Sequence, residues 1–399
     1  MIFERTYTPM QWQKDAYQEW FFKGQYGIIE AATGSGKTII AAEAIHRMLL
    51  ERAKILYVTP GKALALQTKC RLIRYGLPES SIGMLYGGKA EYGKDVTVAV
   101  INSLRHRDVP AGLLILDEVH RACSPENFKF IRRGAYKKIL GLTATLERQD
   151  GGQEQLVKEI GVPVVAEYRL KDAVADKIAA PFCLKLVRLT KDSLYPPEFA
   201  ELAQLDSYIR ERTSRRNYSG VRDAIAQGDY IYAKAVSRRR ELLLTTPSRI
   251  EIAAKIILQE LADSRRVIVF CEYTATADAI GAMLALSKAS YVLYYSKLPI
   301  SNILAFEQGL VSCLITVRAL DEGLDVPDAD VAVIVAGSGV ERQLIQRVGR
   351  VLRQQPDKLA TVYQIYIAQT KDEEWMKERT RPLIDAAKSL EIIDGASFQ

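Results

Sequence analysis

A strand-like run at residues 27–30 leads directly into Ala31-Ala32-Thr33-Gly34-Ser35-Gly36-Lys37-Thr38, and a helix-like stretch at 39–50 follows without a break. Glycine supplies the positive-φ conformations that curl a backbone, so the loop N–H groups can converge on one anion while the helix adds its positive N-terminal end. A strand–loop–helix unit of this kind buries its apolar faces in a parallel sheet covered by helices, which narrows the fold of everything around it. Thr33, Gly34, Ser35 and Gly36 form the cradle, Lys37 can neutralise β/γ-phosphate charge, and the Thr38 hydroxyl can ligate Mg2+. Ala31 stands where the usual pattern has its first glycine, which a small side chain tolerates when φ is negative.

The same alternation continues along the chain. Runs rich in Val, Ile, Leu and Tyr at 55–59, 96–101, 113–116 and 139–142 are separated by helix-like stretches such as 63–75. The pattern resumes at 267–271, 291–295, 314–317, 331–336 and 362–367, with helices predicted at 274–286, 300–308 and 341–352. These spacings predict two α/β domains with parallel sheets, over 1–170 and 251–399. Residues 171–250 are expected to hold a connector and, from about Asp192 to Thr246, a mostly helical insertion opened by Tyr195-Pro196-Pro197.

With 399 residues, 48% of them hydrophobic, the chain can bury two cores. Its longest clean apolar run, 331–337, is far short of a membrane span, and Glu4 and Arg5 fall where a signal peptide needs apolar residues. A soluble, cytoplasmic, monomeric protein without a membrane partner is expected. Five scattered cysteines and three histidines offer neither a disulfide framework nor a zinc module.

Two further clusters suit a nucleotide site. The strand at 113–116 ends in Asp117-Glu118-Val119-His120, and the carboxyl end of a parallel strand faces the ligand crevice of an open α/β sheet. Asp117 is placed to hold Mg2+ through water and Glu118 to polarise an attacking water; taken alone, the pair is also an ordinary polar strand end. Gln346, Arg350 and Arg353 share one helix face, opposite Leu344, Ile345, Val348 and Leu352. That face can bring two arginines to a transferred phosphoryl group, or can be a salt-bridged surface.

The formal charge of +7 is unevenly spread: between Tyr208 and Arg240 nine basic residues face three acids. Arg210, Arg212, Arg215 and Arg216 are interleaved there with Tyr208, Tyr218, Tyr230 and Tyr232. Arginine with exposed aromatics suits phosphate contact and stacking on nucleic-acid bases; the alternative is a solvated helical face whose tyrosines pack inward.

In order, AATGSGKT (31–38), DEVH (117–120), Gly141-Leu142-Thr143-Ala144-Thr145, ALDEGLDVPD (319–328) and QRVGRVLR (346–353) resemble the motif series of superfamily two helicases across nearly the whole chain. DEVH with QRVGRVLR is most similar to the XPB-type DNA repair helicases and their compact bacterial, archaeal and phage relatives. The resemblance implies two tandem RecA-like domains that close on ATP and open after hydrolysis, stepping along a strand. It implies that Gln13 reads adenine, that His120 couples hydrolysis to Gln346, and that Thr59, Pro60, Lys62, Asn102 and Ser103 grip the strand. Thr316, Gly323 and Asp325 fall in the matching motif of the second domain, Thr316 at the strand and the other two at the nucleotide. Thr143, Ala144, Thr145 and, from the family's Arg-Glu-Asp motif, Arg148 and Asp150 would couple hydrolysis to movement. Gln149 stands where the family has Glu, so no carboxylate role carries over to that position.

These residues together imply a nucleic-acid-dependent ATPase, an ATP- and Mg2+-dependent DNA helicase or translocase that acts on single-stranded, duplex or branched DNA in repair, recombination or replication. Phosphate-tracking motifs do not separate DNA from RNA, so an RNA helicase stays open as an alternative. So does an ATP-gated nucleic-acid-binding motor subunit of a restriction complex.

Overall fold

Strands made of four or five consecutive apolar residues suit a parallel sheet whose two faces are covered by helices. The computed structural model shows two such sheets and describes residues 5–122, 125–134, 136–144, 146, 161–191, 194–218, 220–295, 298–299, 301–317, 329–337, 348 and 358–398. Thr145, Arg148, Gln149, Asp150, Gly323, Asp325, Gln346, Arg350 and Arg353, with most of the helix expected at 341–352, lie outside the described residues.

The first unit carries β1 (Tyr26–Ala31), β2 (Ile55–Thr59), β3 (Ile82–Tyr86), β4 (Lys89–Ala90), β5 (Val96–Val100), β6 (Leu113–Asp117), β7 (Lys138–Thr143) and β8 (Val164–Tyr168), in the order β4-β3-β5-β2-β6-β7-β1-β8. All neighbours are parallel except β3 and β4. Helices α1 (Gln11–Phe22), α2 (Lys37–Leu50), α3 (Lys62–Arg74), α4 (Pro125–Gly134) and α5 (Leu170–Ala175) complete it. Ile28, Leu56, Leu114, Leu116 and Val119 belong to its fully buried core. Strand β7 lies between β6 and β1, with Asp117 opposite Leu142 and Thr143 opposite Glu30. The carboxyl ends of the three strands are therefore level, and β1 and β6 stand roughly 9–10 Å apart across β7.

The second unit is an all-parallel sheet of β9 (Phe182–Leu189), β10 (Val267–Cys271), β11 (Val292–Tyr294), β12 (Cys313–Val317), β13 (Val331–Ile334), β14 (Ala360–Ile367) and β15 (Ser389–Asp394), in the order β11-β12-β10-β13-β14-β9-β15. The expected boundary after residue 170 is corrected here. The described residues divide between Ala179 and Ala180, because 182–189 is no connector: β9 pairs along its length with β14 and again with β15.

Helices α6 (Pro196–Arg216), α7 (Val221–Ala226) and α8 (Tyr230–Thr245) form the insertion, followed by α9 (Pro247–Ala262), α10 (Thr274–Leu286), α11 (Ser301–Glu307) and α12 (Lys371–Ala386). Prolines at the first turn of α6 lack only N–H groups that a helix start leaves unbonded, and Asn217, with φ 51°, ends that helix in the left-handed conformation. The insertion has its own small core of Ile209, Tyr218, Ala224 and Tyr232. No helix among the described residues is long and apolar enough to cross a membrane.

Candidate functional site

The phosphate loop takes the predicted form. Gly34 and Gly36 have φ of 82° and 84°, while Ala31 ends β1 without a positive φ. Gly36 is the N-cap of α2, which has neither a side-chain cap nor an acidic residue in its first turn. The positive end of α2 is thus left for an anion. The Thr33 hydroxyl is buried without a hydrogen-bond partner among the described residues, and Lys37 Nζ folds back to donate to the Ala31 carbonyl at 2.8 Å and the Ala32 carbonyl at 3.3 Å. Burial lowers the Lys37 pKa, opposed by Glu118, Asp117 and Glu30. A cationic group seated on weak carbonyl acceptors, beside an orphaned hydroxyl and an uncapped helix end, fits a polyphosphate.

Gln13, expected at the adenine, is tied to the phosphate loop in this structure. It is buried, its amide donates to Ser35 O at 2.9 Å and Gly36 O at 3.3 Å, and its carbonyl accepts Met10 N at 2.8 Å. A side chain at Gly36 would place Cβ 2.6 Å from Gln13 Nε2, so glycine and glutamine fit each other. In this structure Gln13 props the loop from beneath.

At the end of β6, burial raises the Asp117 pKa, opposed by Lys37, a hydrogen bond from Tyr57 and Arg71. Tyr57 Oη, from β2, is 3.2 Å from Asp117 Oδ2. Glu118 adopts the left-handed conformation, φ 50° and ψ 54°, which costs a non-glycine residue about 1–2 kcal/mol. His120 Nδ1 lies 3.3 Å from Glu118 Oε2 and 3.0 Å from Thr143 Oγ1, linking the ends of β6 and β7. Ala144 is buried immediately after β7.

The expected strand-gripping residues separate into two kinds. Lys62 is exposed at the start of α3 with its ammonium 5.1 Å from the Tyr86 ring, and Asn102 and Ser103 are accessible on the turn after β5. Pro60 is half-buried beside them. Thr59 is instead buried, and its hydroxyl faces the Gly61 and Ala99 carbonyls at 3.3 and 3.4 Å, so it braces the backbone. Thr316, on β12 of the other unit, is buried with a hydroxyl that lacks a partner among the described residues.

In the insertion, Tyr218, expected to meet nucleic acid, is buried with its hydroxyl 2.7 Å from Asp229, while Arg212 is partly exposed with its Nε 2.6 Å from the same carboxylate. Arg215 pairs with Glu211 one turn away. Arg210 is exposed and lines a polar cavity of about 370 Å3 with Lys191, Asp206, Arg239 and Lys377. Arg216 is exposed at the end of α6. The sequence missed Tyr57, whose partner is 60 residues away, and only strand order brings the two together.

Residues 6–148 match the family described as type III restriction enzyme, res subunit, and residues 248–355 match the helicase conserved C-terminal domain. The helicase domain of Hef from Pyrococcus furiosus has the same fold, with a TM-score of 0.60 at 20% identity over 92% of this chain and 97% of that one. Phosphate loop, neighbouring acids and two parallel sheets define a superfamily two helicase, with two RecA-like domains. The DNA 3'-5' translocase XPB2 of Sulfurisphaera tokodaii is 30% identical over 378 residues, 90% of this chain and 82% of that protein. The chain belongs to the XPB family of these nucleic-acid-dependent ATPases. The DNA 3'-5' helicase XPB of Kineococcus radiotolerans is 28% identical over 94% of this chain, which spans only 62% of that protein.

Proposed function

We propose that this protein is an ATP- and Mg2+-dependent DNA translocase or helicase that remodels duplex or branched DNA during repair, recombination or replication, with Asp117-Glu118-Val119-His120 as its acidic box. The observation that supports the proposal is the level carboxyl edge of β1, β7 and β6, whose ends carry the phosphate loop, Thr143 and the Asp117–Glu118 pair, with Lys37 within electrostatic reach of both acids. The names of the XPB relatives support DNA as the substrate.

Thr38 and Asp117 would hold Mg2+, which when bound neutralises phosphate charge. Lys37 would leave its two carbonyls for the β/γ-phosphates, and the α2 N-terminus would cradle them. Glu118 would accept a proton from the attacking water, and His120 would report its position to Thr143 through their hydrogen bond. Lys62, Asn102 and Ser103 would meet the strand backbone.

Purified protein is expected to hydrolyse ATP faster with DNA than with RNA of the same sequence, and Lys37→Ala to abolish turnover. Equal or stronger stimulation by RNA would overturn the choice of substrate. Turnover retained in Lys37→Ala would overturn the site.

A further inference from the structure

The turn between α7 and α8 is held rigidly while its apolar side chains face water. Gly228, with φ 80°, closes α7: Gly228 N donates to Ile225 O at 2.9 Å and Asp229 N to Ala224 O at 2.8 Å. Asp229 then opens α8, its carboxylate accepting Tyr232 N at 3.1 Å, Arg212 Nε at 2.6 Å and Tyr218 Oη at 2.7 Å. The Tyr218 and Tyr232 rings pack behind it with centroids 4.9 Å apart. Asp229 is buried, yet on either side Ile225 is 43% exposed, Tyr230 68% and Ile231 70%.

The surroundings are basic. Arg222 precedes Ile225 by three positions on α7 and Lys234 follows Ile231 by three on α8, so each neighbours its apolar partner on the helix surface. Arg216 ends α6. All three are exposed and form no ion pair with a described residue, whereas Arg212, Arg215 and Arg238 are paired. The acid on α7, Asp223, accepts from Gln227 Nε2 at 2.9 Å.

We propose that this tip seats against the exposed base face at the end of a nucleic-acid duplex, at a fork or a junction. Tyr230 and Ile231 stack on the terminal base pair, Ile225 broadens the apolar face, and Arg216, Arg222 and Lys234 take the flanking phosphates. An aromatic face accepts any base and a branched aliphatic side chain wedges against base steps, so the surface is sequence-tolerant. The cationic rim complements a polyanion. The proposal rests on the nucleic-acid-dependent activity above and narrows it to duplex ends.

The full-length protein is titrated with forked DNA carrying 2-aminopurine at the junction, alongside an unbroken duplex circle. Tyr230→Ala with Ile231→Ser is expected to weaken fork binding about ten-fold and to remove the protein-induced 2-aminopurine change, as loss of one stacked base would. The matched control Leu286→Ser, 86% exposed on α10, should leave both unchanged. Equal loss on fork and circle would overturn the base-face role in favour of general backbone grip. Binding and fluorescence indistinguishable from wild type would overturn the nucleic-acid role of the tip and leave a protein partner as its occupant. If wild-type protein binds no DNA at all, the proposed function fails first, and the tip proposal with it.

Discussion

Tyr57 Oη donates to Asp117 Oδ2 at 3.2 Å, from the strand next to the one that carries the acid. The phenol is fully buried, and burial beside the carboxylate pushes its pKa well above the ordinary range, so it remains a donor. The bond fixes the rotation of a carboxylate proposed to hold Mg2+ through water. Tyr57→Phe deletes the donor and almost no volume. Half-saturating Mg2+ for ATP hydrolysis is expected to rise about ten-fold, in the range seen when partners of metal ligands are removed. Mg2+ titration of fluorescent-nucleotide binding checks this without turnover. A lowered melting temperature with unchanged Mg2+ dependence would reduce Tyr57 to packing.

Gln13 spends its amide on Ser35 O and Gly36 O. If its task is to prop the loop, Gln13→Ala should raise KM for ATP and GTP by similar factors, about ten-fold for two lost buried hydrogen bonds. A residue that reads the base would instead alter the ATP-to-GTP preference. Parallel KM measurements with the two nucleotides separate these outcomes.

What was legible in the sequence follows from where burial is complete. Strands β2, β6, β10 and β12 are runs of apolar residues with buried faces on both sides, and their pattern needs no partner to be recognised. The strand missed inside the second sheet, β9, is broken by Lys185 and Arg188; the Lys185 ammonium sits 5.2 Å from the Tyr363 ring, so its stem is accommodated in a way composition cannot reveal. Strand β15 was missed because most of it is exposed. The phosphate loop was legible because its chemistry is local. Tyr57–Asp117 and Arg212–Asp229 were not, because separate elements bring those partners together. Sequence likewise could not tell the buried Tyr218 from the exposed Tyr230.

A buried charge network ties α9 and α12 to the second sheet. Arg249, with no exposed surface, donates to Val335 O at 2.6 Å, Ile365 O at 2.8 Å and the Asp372 carboxylate, which also accepts Ile367 N at 3.0 Å. Arg379 donates to Gly337 O at 2.9 Å and lies 3.7 Å from the same carboxylate; burial lowers its pKa to about 10. Asp372→Asn removes the carboxylate that both buried guanidinium groups face, leaving Arg379 the weaker attraction of Glu272. Removing one member of such a network costs about 3–5 kcal/mol, so the urea midpoint of the second unit should fall sharply. A change under about 1 kcal/mol would mean that the carbonyl acceptors alone hold the arginines.

The insertion should respond to pH through Asp229. Hydrogen bonds from Arg212, Tyr218 and the Tyr232 N–H hold its pKa at about 2, below the ordinary 3.8. Because the folded-state value is the lower one, the carboxylate contributes its full stability above the unfolded value and loses it as pH falls through the folded value. The stability gap between wild type and Asp229→Asn is therefore expected to be constant from about pH 5 to 8 and to shrink as pH falls from about 4 towards 2. Urea melts followed by hydrogen exchange at Tyr232 N–H measure that gap within the insertion itself. A gap that widened on acidification would require the carboxyl to be bound in its protonated form, which three donors aimed at one carboxylate do not favour.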